Sequence, residues 1–185
     1  MWCIFWNSKY ILIRYFFKAL GIDVANSLVE DNYIDQAKNI LKTYKEKNIS
    51  IYLPKDIVLT KEFKNNSETK IVDTNKNFIQ GYEGVDIGPK TIDDWSKTLK
   101  EAKTILWNGP LGVFEIENFS KGTNEIAKII SKIDCISIIG GGDSIAAINK
   151  LKLNNKFSHI STGGGASLEF IENKTLPAIE VLSNK

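Results

Sequence analysis

The chain has 185 residues, of which 24 are lysine or arginine and 22 are aspartate or glutamate, so its formal net charge is +2. This balance argues against strong electrostatic attraction to nucleic acid or to an anionic membrane, and we expect neither as a partner. Hydrophobic residues make up 43% of the chain and charged residues 25%, which is typical of a globular protein and too apolar for intrinsic disorder.

The first twenty residues are rich in aromatic and aliphatic side chains, but Lys9, Arg14 and Lys18 divide them into short runs. A membrane-spanning helix needs about 20 consecutive apolar residues, and a secretory signal needs a basic start and a small-residue cleavage site, so we expect neither here. For residues 10–20 the pattern favours a helix that packs on a sheet. An amphipathic surface helix and a membrane-associating segment are the alternatives.

The cysteines and the single histidine give little sign of a reactive site. Cys3 and Cys135 lie far apart and neither belongs to a zinc-type cluster, which indicates two reduced thiols in a cytoplasmic protein. His159 could serve a Ser-His-Asp site, but its neighbours Ser158 and Ile160 are typical of a strand end. We therefore favour a structural role for this histidine.

Helical periodicity begins at Asn32 and continues to residue 47, where Asn48 can end the helix. The predicted apolar face of this helix consists of Ile34, Ala37, Ile40, Leu41 and Tyr44. Residues 49–53 are predicted to form a short buried strand closed by Pro54. The polar stretch that follows, residues 60–77, is expected to contain a turn at residues 65–67 and a minor strand at residues 70–72.

From residue 84 onward, short apolar runs alternate with amphipathic stretches. The predicted strands are residues 84–89 with their turn, 104–107, 135–139 and 157–161, and the predicted helices are residues 91–102, 120–131, 144–151 and 166–172. Each of the last three strands is followed by glycine and then by a helix. This repetition predicts an α/β fold with a three-layer, Rossmann-like parallel sheet and helices on both of its faces.

Two glycine turns follow neighbouring strands of this predicted sheet. Residues 140–144 are Gly-Gly-Gly-Asp-Ser, and residues 162–167 are Thr-Gly-Gly-Gly-Ala-Ser. In such sheets ligands bind beyond the carboxyl ends of the strands, where glycines let backbone amides and the positive helix end approach an anion. Side by side, the two turns would suit a polyphosphate or a phosphoryl group in transfer. For the first turn taken by itself, a tight turn with Asp143 and Ser144 as ordinary N-caps is an equal alternative.

Two common nucleotide-binding signatures are absent from the sequence. There is no GxxxxGK[ST] P-loop, and neither glycine cluster spells GxGxxG, which disfavours a Walker-type ATPase and a dinucleotide-dependent dehydrogenase. Asp143 could hold a magnesium ion shared with nucleotide phosphates, because this cation prefers oxygen ligands and retains water. A capping role for the same carboxylate is equally compatible with the pattern.

The run WNGPLGVFE at residues 107–115 is the most specific in the chain. It is predicted to form a strand end, a Gly-Pro turn and a loop that carries Glu115. This carboxylate could accept hydrogen bonds from ribose hydroxyls, and a solvated Glu115 in a surface loop is the alternative.

These motifs resemble the nucleotide-binding lobe of phosphoglycerate kinase. WNGPLGVFE, GGGDS and HISTGGGASLEF occur in the family's order, as do GYEGVDIGPKT at residues 81–91 and KALGIDVANSLVE at residues 18–30. The resemblance extends from about Phe16 to the C-terminus. It implies a reversible phosphoryl transfer between 1,3-bisphosphoglycerate and Mg-ADP, a step of glycolysis that yields ATP and 3-phosphoglycerate.

The resemblance also implies roles for individual residues. It implies nucleotide-binding positions at Gly84, Asn108, Pro110, Glu115, Gly141, Gly142, Asp143 and Ser144. Glu115 would be the ribose-binding carboxylate, and Asp143 would stand at the position of the Mg²⁺ that accompanies ADP or ATP. The catalytic positions would be Gly142 and Gly165, whose amides would face the moving phosphoryl group. Phosphoryl transfer needs mainly positioning and charge stabilisation, which such amides provide.

The sequence also departs from the family's pattern. The family's N-terminal lobe, with its basic cluster, catalytic arginine and 3-phosphoglycerate site, has no counterpart here, and neither has the Gly-Ala-Lys segment of the first strands. Residues 1–6 contain no glycine where the family has a glycine-rich turn. We therefore divide the chain into a divergent segment, residues 1–15, whose structure the resemblance does not define, and a phosphoglycerate-kinase-like nucleotide-binding domain, residues 16–185.

Two functions follow from these departures. The chain is expected either to act as the nucleotide-binding half of the kinase, complemented by a separate N-terminal lobe, or to be a truncated, catalytically inactive nucleotide-binding remnant. Without an acceptor site we expect little or no turnover from this chain by itself. A sheet without its leading strands is also expected to be marginally stable.

Overall fold

The computed structural model describes residues 2–6, 11–27, 29 and 32–182. The strands are β1 (Trp2–Trp6), β2 (Asp56–Thr60), β3 (Thr69–Asp73), β4 (Glu83–Ile87), β5 (Thr104–Asn108), β6 (Ile136–Gly140) and β7 (His159–Ser161). The helices are α1 (Ile11–Ala19), α2 (Asn32–Glu46), α3 (Pro89–Lys100), α4 (Lys121–Ile130), α5 (Gly142–Lys150), α6 (Gly164–Asn173) and α7 (Pro177–Leu182). None of the helices in these ranges has the length and apolar character needed to cross a membrane.

A four-stranded parallel sheet with the order β1-β5-β6-β7 forms the centre of the fold. The register places Asn108 beside Gly140 and Gly140 beside Ser161, so three strands end at the same edge. Inside the sheet, Trp107 and Ile139 are fully buried. The predicted α/β class, with helices flanking a parallel sheet, is confirmed.

A second sheet, which the sequence did not predict, is antiparallel and has the order β3-β2-β4. Its strand β2 buries Ile57 and Leu59, and β4 buries Val85 and Ile87. The backbone N–H of Val113 donates to the Val85 carbonyl at 2.9 Å, which ties the loop after β5 to this sheet. The predicted minor strand at residues 70–72 is confirmed as β3, and the predicted turn lies at Asn65 and Asn66.

The predicted buried strand at residues 49–53 is wrong. These residues form no strand, and both Ile49 and Tyr52 are about half exposed, at 49% and 51%. The strand begins instead after Pro54, at Asp56, where Ile57 and Leu59 can enter the core and pair with β3 and β4. Proline precedes this strand rather than closing the earlier apolar run, because its missing N–H is tolerated outside a ladder.

The helix predicted from Asn32 is confirmed as α2, and Asn48 ends it with a positive φ of 53°. The backbone N–H of Ile49 donates to the Tyr44 carbonyl at 2.8 Å, the bond expected where a helix ends in the left-handed region. The predicted apolar face is only partly covered, since Ala37 is buried while Ile40 remains 41% exposed.

The N-terminal residues include a strand that the sequence did not predict and a helix that it did. Strand β1 pairs in parallel with β5 over its whole length, with Trp2 opposite Thr104 and Trp6 opposite Asn108. The predicted helix over residues 10–20 is confirmed as α1, and Phe17 packs edge-on against Phe78 at 5.8 Å between ring centroids. Met1, Tyr10 and the remainder of residues 7–10 lie outside the described residues. The division of the chain at residue 16 stays a prediction.

Candidate functional site

The carboxyl edge of the parallel sheet brings the two glycine turns into contact. A methyl group added at Gly164 would lie 2.7 Å from both Cα and N of Gly141, so the two backbones touch. The side chain of Asn108, at the end of β5, lies between the turns: its Oδ1 would be 2.7 Å from a methyl group on Gly141 and 2.9 Å from one on Gly164. The two turns therefore form one surface, and Asn108 belongs to it.

Each of these turns begins a helix that has no side-chain cap. Gly141 is the N-cap of α5 and Gly163 is the N-cap of α6, and neither position is bonded by a capping side chain. Gly141 has a φ of +87°, which favours glycine because other residues rarely adopt it. The first-turn amides of an α-helix have no intrahelical acceptor. Two positive helix ends thus lie side by side, an arrangement that attracts anions.

The predicted catalytic glycines lie beside open space. Nothing would come within 4 Å of a methyl group added at Gly142 or at Gly165. Gly142 and Gly165 differ in this respect from Gly164, where an added methyl group would overlap the backbone of Gly141. A side chain added at Gly142 or Gly165 would therefore project into this open space.

Asp143 lies in the first turn of α5 and is partly exposed. Within the described residues, no group of three or more His, Cys, Asp or Glu side chains could hold a metal ion. Asp143 would therefore supply a single protein carboxylate to Mg²⁺, with phosphate oxygens and water as further ligands. One carboxylate beside a phosphate-binding turn is a typical donor set for this cation, so the residues fit the ion.

The neighbouring residue, Ser144, is fully buried and already has a partner. Its Oγ accepts a hydrogen bond from the backbone N–H of Gly109 at 2.7 Å. The carbonyl of Gly109 accepts a second bond, at 2.6 Å, from Nε1 of the fully buried Trp107. The Gly-Pro turn that ends with the buried Pro110 is therefore joined to the first turn of α5.

The loop that carries Glu115 is held from two sides. The backbone N–H groups of Leu111 and Gly112 donate to Oγ1 of Thr123 in α4, at 3.0 and 3.1 Å. Its bond to β4 through Val113 brings the loop next to the strand that contains Gly84. Glu115 itself is exposed, so its carboxylate is available to a ligand.

Gly84 is buried in β4, and its backbone carbonyl accepts a hydrogen bond from Nη2 of Arg14 at 3.2 Å. Arg14 lies on α1, inside the segment, residues 1–15, that the sequence analysis set apart as divergent. Burial lowers the pKa of its guanidinium, and the charge of Glu83 opposes this effect. The N-terminal helix therefore packs directly on the strand that carries a predicted nucleotide-binding position.

Sequence reasoning did not identify Asp86, a fully buried carboxylate in β4. Its Oδ2 accepts from the Gly122 backbone N–H at 2.7 Å and its Oδ1 from the Ile87 N–H at 2.9 Å. Burial raises the pKa of Asp86 to about 8, although these two amides and the charge of Lys121 act in the opposite direction. The signal available in the sequence was an acidic residue inside an apolar strand.

The structure brings together the predicted positions at the sheet edge and leaves the histidine outside them. Asn108 contacts the turn at residues 141–144 directly, and Pro110 is joined to it through its neighbour Gly109, which is bonded to Ser144. Gly84 and Glu115 are connected to this turn through the loop after β5. His159 is exposed at the start of β7, in agreement with the strand end that the sequence predicted.

Comparisons with known proteins identify the family of the chain. The sequence model of the family described as phosphoglycerate kinase matches residues 11–174. The phosphoglycerate kinase of Dictyoglomus turgidum is 52% identical over 171 residues, which are 92% of this chain and 43% of that protein. The phosphoglycerate kinase of Thermosipho africanus is 51% identical over 173 residues, and the match covers 92% of this chain and 43% of that protein.

Solved structures show the same relationship. Phosphoglycerate kinase from Coxiella burnetii superposes with a TM-score of 0.88 at 37% identity, covering 98% of this chain and 46% of that chain. Phosphoglycerate kinase from Pyrococcus horikoshii OT3 gives a TM-score of 0.76 at 31% identity, and the match covers 92% of this chain and 43% of that chain. The chain thus spans less than half the length of these relatives.

Proposed function

The chain belongs to the phosphoglycerate kinase family, and on that premise we propose that it is the C-terminal, nucleotide-binding lobe of such a kinase. The reaction is the reversible phosphoryl transfer between 1,3-bisphosphoglycerate and ADP in glycolysis, and its site of action is the cytoplasm. The enzyme class is a phosphotransferase with a carboxyl-group acceptor. The observation that carries this proposal is the contact between two uncapped helix N-termini at Gly141 and Gly164.

The nucleotide phosphates bind at the turn of residues 141–144. The backbone amides of this turn and the positive end of α5 neutralise the phosphate charge. The carboxylate of Asp143 would hold Mg²⁺, and the ion would supply neutralisation of the phosphate charge. Asn108 and Pro110 form the side of the site next to this turn.

The ribose binds at Glu115, whose exposed carboxylate accepts hydrogen bonds from two hydroxyl groups. The base lies toward β4, where the backbone at Gly84 limits the site. This orientation places the diphosphate at α5 and points its terminal phosphate toward α6.

The backbone amides of Gly142 and Gly165 stabilise the phosphoryl group while it moves. Each belongs to the first turn of a helix, and each faces open space that a phosphoryl group can occupy. Dipoles that are already oriented stabilise developing charge without reorganising during the reaction. The chain supplies no side chain that forms a covalent bond in this scheme, so its contribution is positioning and charge stabilisation.

The acyl phosphate substrate requires a second site, which we assign to a separate N-terminal lobe. The curated relatives are more than twice as long as the matched region, which leaves room in them for such a lobe. In the absence of that partner we propose nucleotide binding with little or no turnover. The alternative function is a catalytically inactive nucleotide-binding module.

A coupled assay distinguishes these two functions. The chain is given 1,3-bisphosphoglycerate and Mg-ADP, with and without the N-terminal lobe of a homologous kinase, and ATP formation is measured. Turnover that appears only after mixing supports the complemented kinase, and its absence in both arms favours the inactive module. Calorimetric titration with ADP, with and without Mg²⁺, tests nucleotide binding separately from turnover. No heat of binding in either titration would contradict both the complemented kinase and the inactive nucleotide-binding module.

A further inference from the structure

We infer that Asp86 is a positioning residue for ribose binding: its carboxylate holds both ends of the loop of residues 112–122, which carries Glu115. This inference rests on the proposed function and adds one residue to the ribose side of the site. Because Asp86 is fully buried in β4, it acts through the loop and not by contact with the nucleotide.

Both ends of this loop lie against the same carboxylate. At its start, a methyl group added at Gly112 would lie 2.5 Å from Oδ1 of Asp86. At its end, a methyl group added at Gly122 would overlap the same oxygen, and the Gly122 backbone N–H donates to Oδ2 at 2.7 Å. A loop whose ends meet in this way has its position set by the residue between them.

The same carboxylate also replaces a missing helix cap. Ser120 is the N-cap residue of α4, and its side chain makes no capping hydrogen bond. The bond from Gly122 therefore satisfies a first-turn amide of α4 from a residue 36 positions earlier in the chain. Removing the carboxylate would release the start of this helix and the end of the loop together.

A short turn connects this contact to Glu115. The residue after Gly112 is Val113, whose backbone N–H is bonded to β4 at 2.9 Å. The carbonyl of Val113 accepts the backbone N–H of Ile116 at 3.0 Å, so Glu115 lies inside a closed turn. A displacement of Gly112 is therefore carried to the ribose-binding carboxylate.

Two nucleotides separate this role from a general structural one. The first is ADP, and the second is dideoxy-ADP, an analogue in which both ribose hydroxyl groups are replaced by hydrogen. Hydrogen bonds to a charged carboxylate are strong, so the unmodified chain should prefer Mg-ADP by about 10-fold or more. Asp86→Ala should lower this preference by about 3-fold or more, because Glu115 is displaced. A carboxylate that only stabilised the fold would leave the preference unchanged.

Three further variants test the route of the effect. Asp86→Asn keeps the shape of the side chain and an acceptor oxygen for Gly122, so it should retain most of the preference. In a Glu115→Ala background, Asp86→Ala should change the preference no further, because residues that act through one another are not additive. Gly112→Ala displaces the loop from its other end, and it should lower the preference as Asp86→Ala does.

The matched control is Asp56→Ala. Asp56 is also a fully buried strand carboxylate, and it accepts two first-turn amides of a helix, those of Lys90 at 3.0 Å and Thr91 at 2.8 Å. A methyl group added at Gly88 would overlap it in the same way. This helix is α3, which does not carry the ribose-binding loop. Asp56→Ala should therefore lower Tm and leave the preference for Mg-ADP unchanged.

Calorimetric titrations below the Tm of each variant measure the preference. An unchanged preference in Asp86→Ala, or a further drop in the Glu115→Ala background, would overturn the positioning role. If Asp86→Ala does not fold, an unchanged preference in Gly112→Ala overturns it instead. Failure of the unmodified chain to bind either nucleotide is a different result, which would refute the proposed function and this inference with it. We expect a reduced preference in Asp86→Ala that is absent from Asp56→Ala.

Discussion

The contact between the two glycine turns can be tested by adding one methyl group at two adjacent positions. In Gly164→Ala the new methyl group would lie 2.7 Å from Cα and N of Gly141 and 2.9 Å from Oδ1 of Asn108. Carbon atoms pack best at about 3.5 to 4.0 Å, so the overlap with backbone approaches 1 Å. In Gly165→Ala the same group meets nothing within 4 Å.

These distances predict different stabilities for the two variants. Overpacking against a rigid neighbour costs about 1 to 3 kcal/mol, and alanine returns at most about 1 kcal/mol through its higher helix propensity. For a chain of this size each kcal/mol shifts Tm by roughly 2 to 4 °C. We therefore expect Gly164→Ala to lose about 1 to 2 kcal/mol in the free energy of unfolding and several degrees in Tm. Gly165→Ala, which gains the helix propensity without the overlap, should be at least as stable as the unmodified chain.

Urea unfolding followed by tryptophan fluorescence, together with thermal melts, measures both quantities. Because the two variants carry the same chemical change one residue apart, general effects of alanine in the first turn of α6 cancel in the comparison. Equal stability of Gly164→Ala and Gly165→Ala would show that the turns do not touch. The proposed site would then lose the observation on which it rests.

Three further predictions concern the ligand and pH. Gly142→Ala and Gly165→Ala should weaken binding of Mg-ADP or transfer of the phosphoryl group without unfolding the chain. Both quantities are measured with the added N-terminal lobe, and intact affinity and turnover in both variants would refute the proposed roles of these glycines. Asp143→Ala should weaken ADP binding in the presence of Mg²⁺ and leave ADP binding without the metal little changed. If Asp143 only capped α5, its replacement would instead lower the free energy of unfolding by about 1 kcal/mol and leave the ADP affinity unchanged. Asp86 has a native pKa of about 8 and an unfolded pKa of about 4, so between these values the native state holds a proton that the unfolded state has released. Stability should therefore fall as pH rises through this range, by up to about 1.4 kcal/mol per pH unit from this group, and Asp86→Asn should flatten the slope of urea-derived unfolding free energies between pH 5 and 8. Identical slopes in the two proteins would contradict the raised pKa.

The strands and helices that lead to the site were predictable because their signals are local. Thr104, at the start of β5, and Ile136, at the start of β6, begin short apolar runs that end in glycine-containing turns, and such runs are typical of strands covered on both faces. The helices after β6 and β7 begin at Gly142 and Gly164, close to the positions that the glycine turns predicted. Adjacent parallel strands place both turns at one edge, so their contact followed from topology.

Other elements were missed because their signals depend on distant residues. Strand β1 exists through its pairing with β5 about a hundred positions away, and nothing in its composition distinguishes a strand from a helix. Residues 49–53 were equally apolar, yet no strand of either sheet takes them as a partner, and the core accepts Ile57 and Leu59 instead. A short apolar run indicates that its burial is favourable, but its pairing with other strands determines whether it is buried.

The roles of Ser144 and Asp86 show the same limit inside the site. From its position, Ser144 is the last residue of a phosphate-binding turn, and sequence reasoning assigned it to the ligand. Its hydroxyl is turned toward Gly109, because a buried oxygen requires a donor and the turn after β5 offers one. Asp86 lies among apolar neighbours in β4, yet it accepts the backbone N–H of Gly122 in the first turn of α4. In both cases a polar side chain satisfies backbone groups of another element, and this contact holds the loop between them in place. Candidate ligand-binding residues can therefore be proposed from local motifs, whereas the residues that hold the loops in position become visible only when the long-range hydrogen bonds are known.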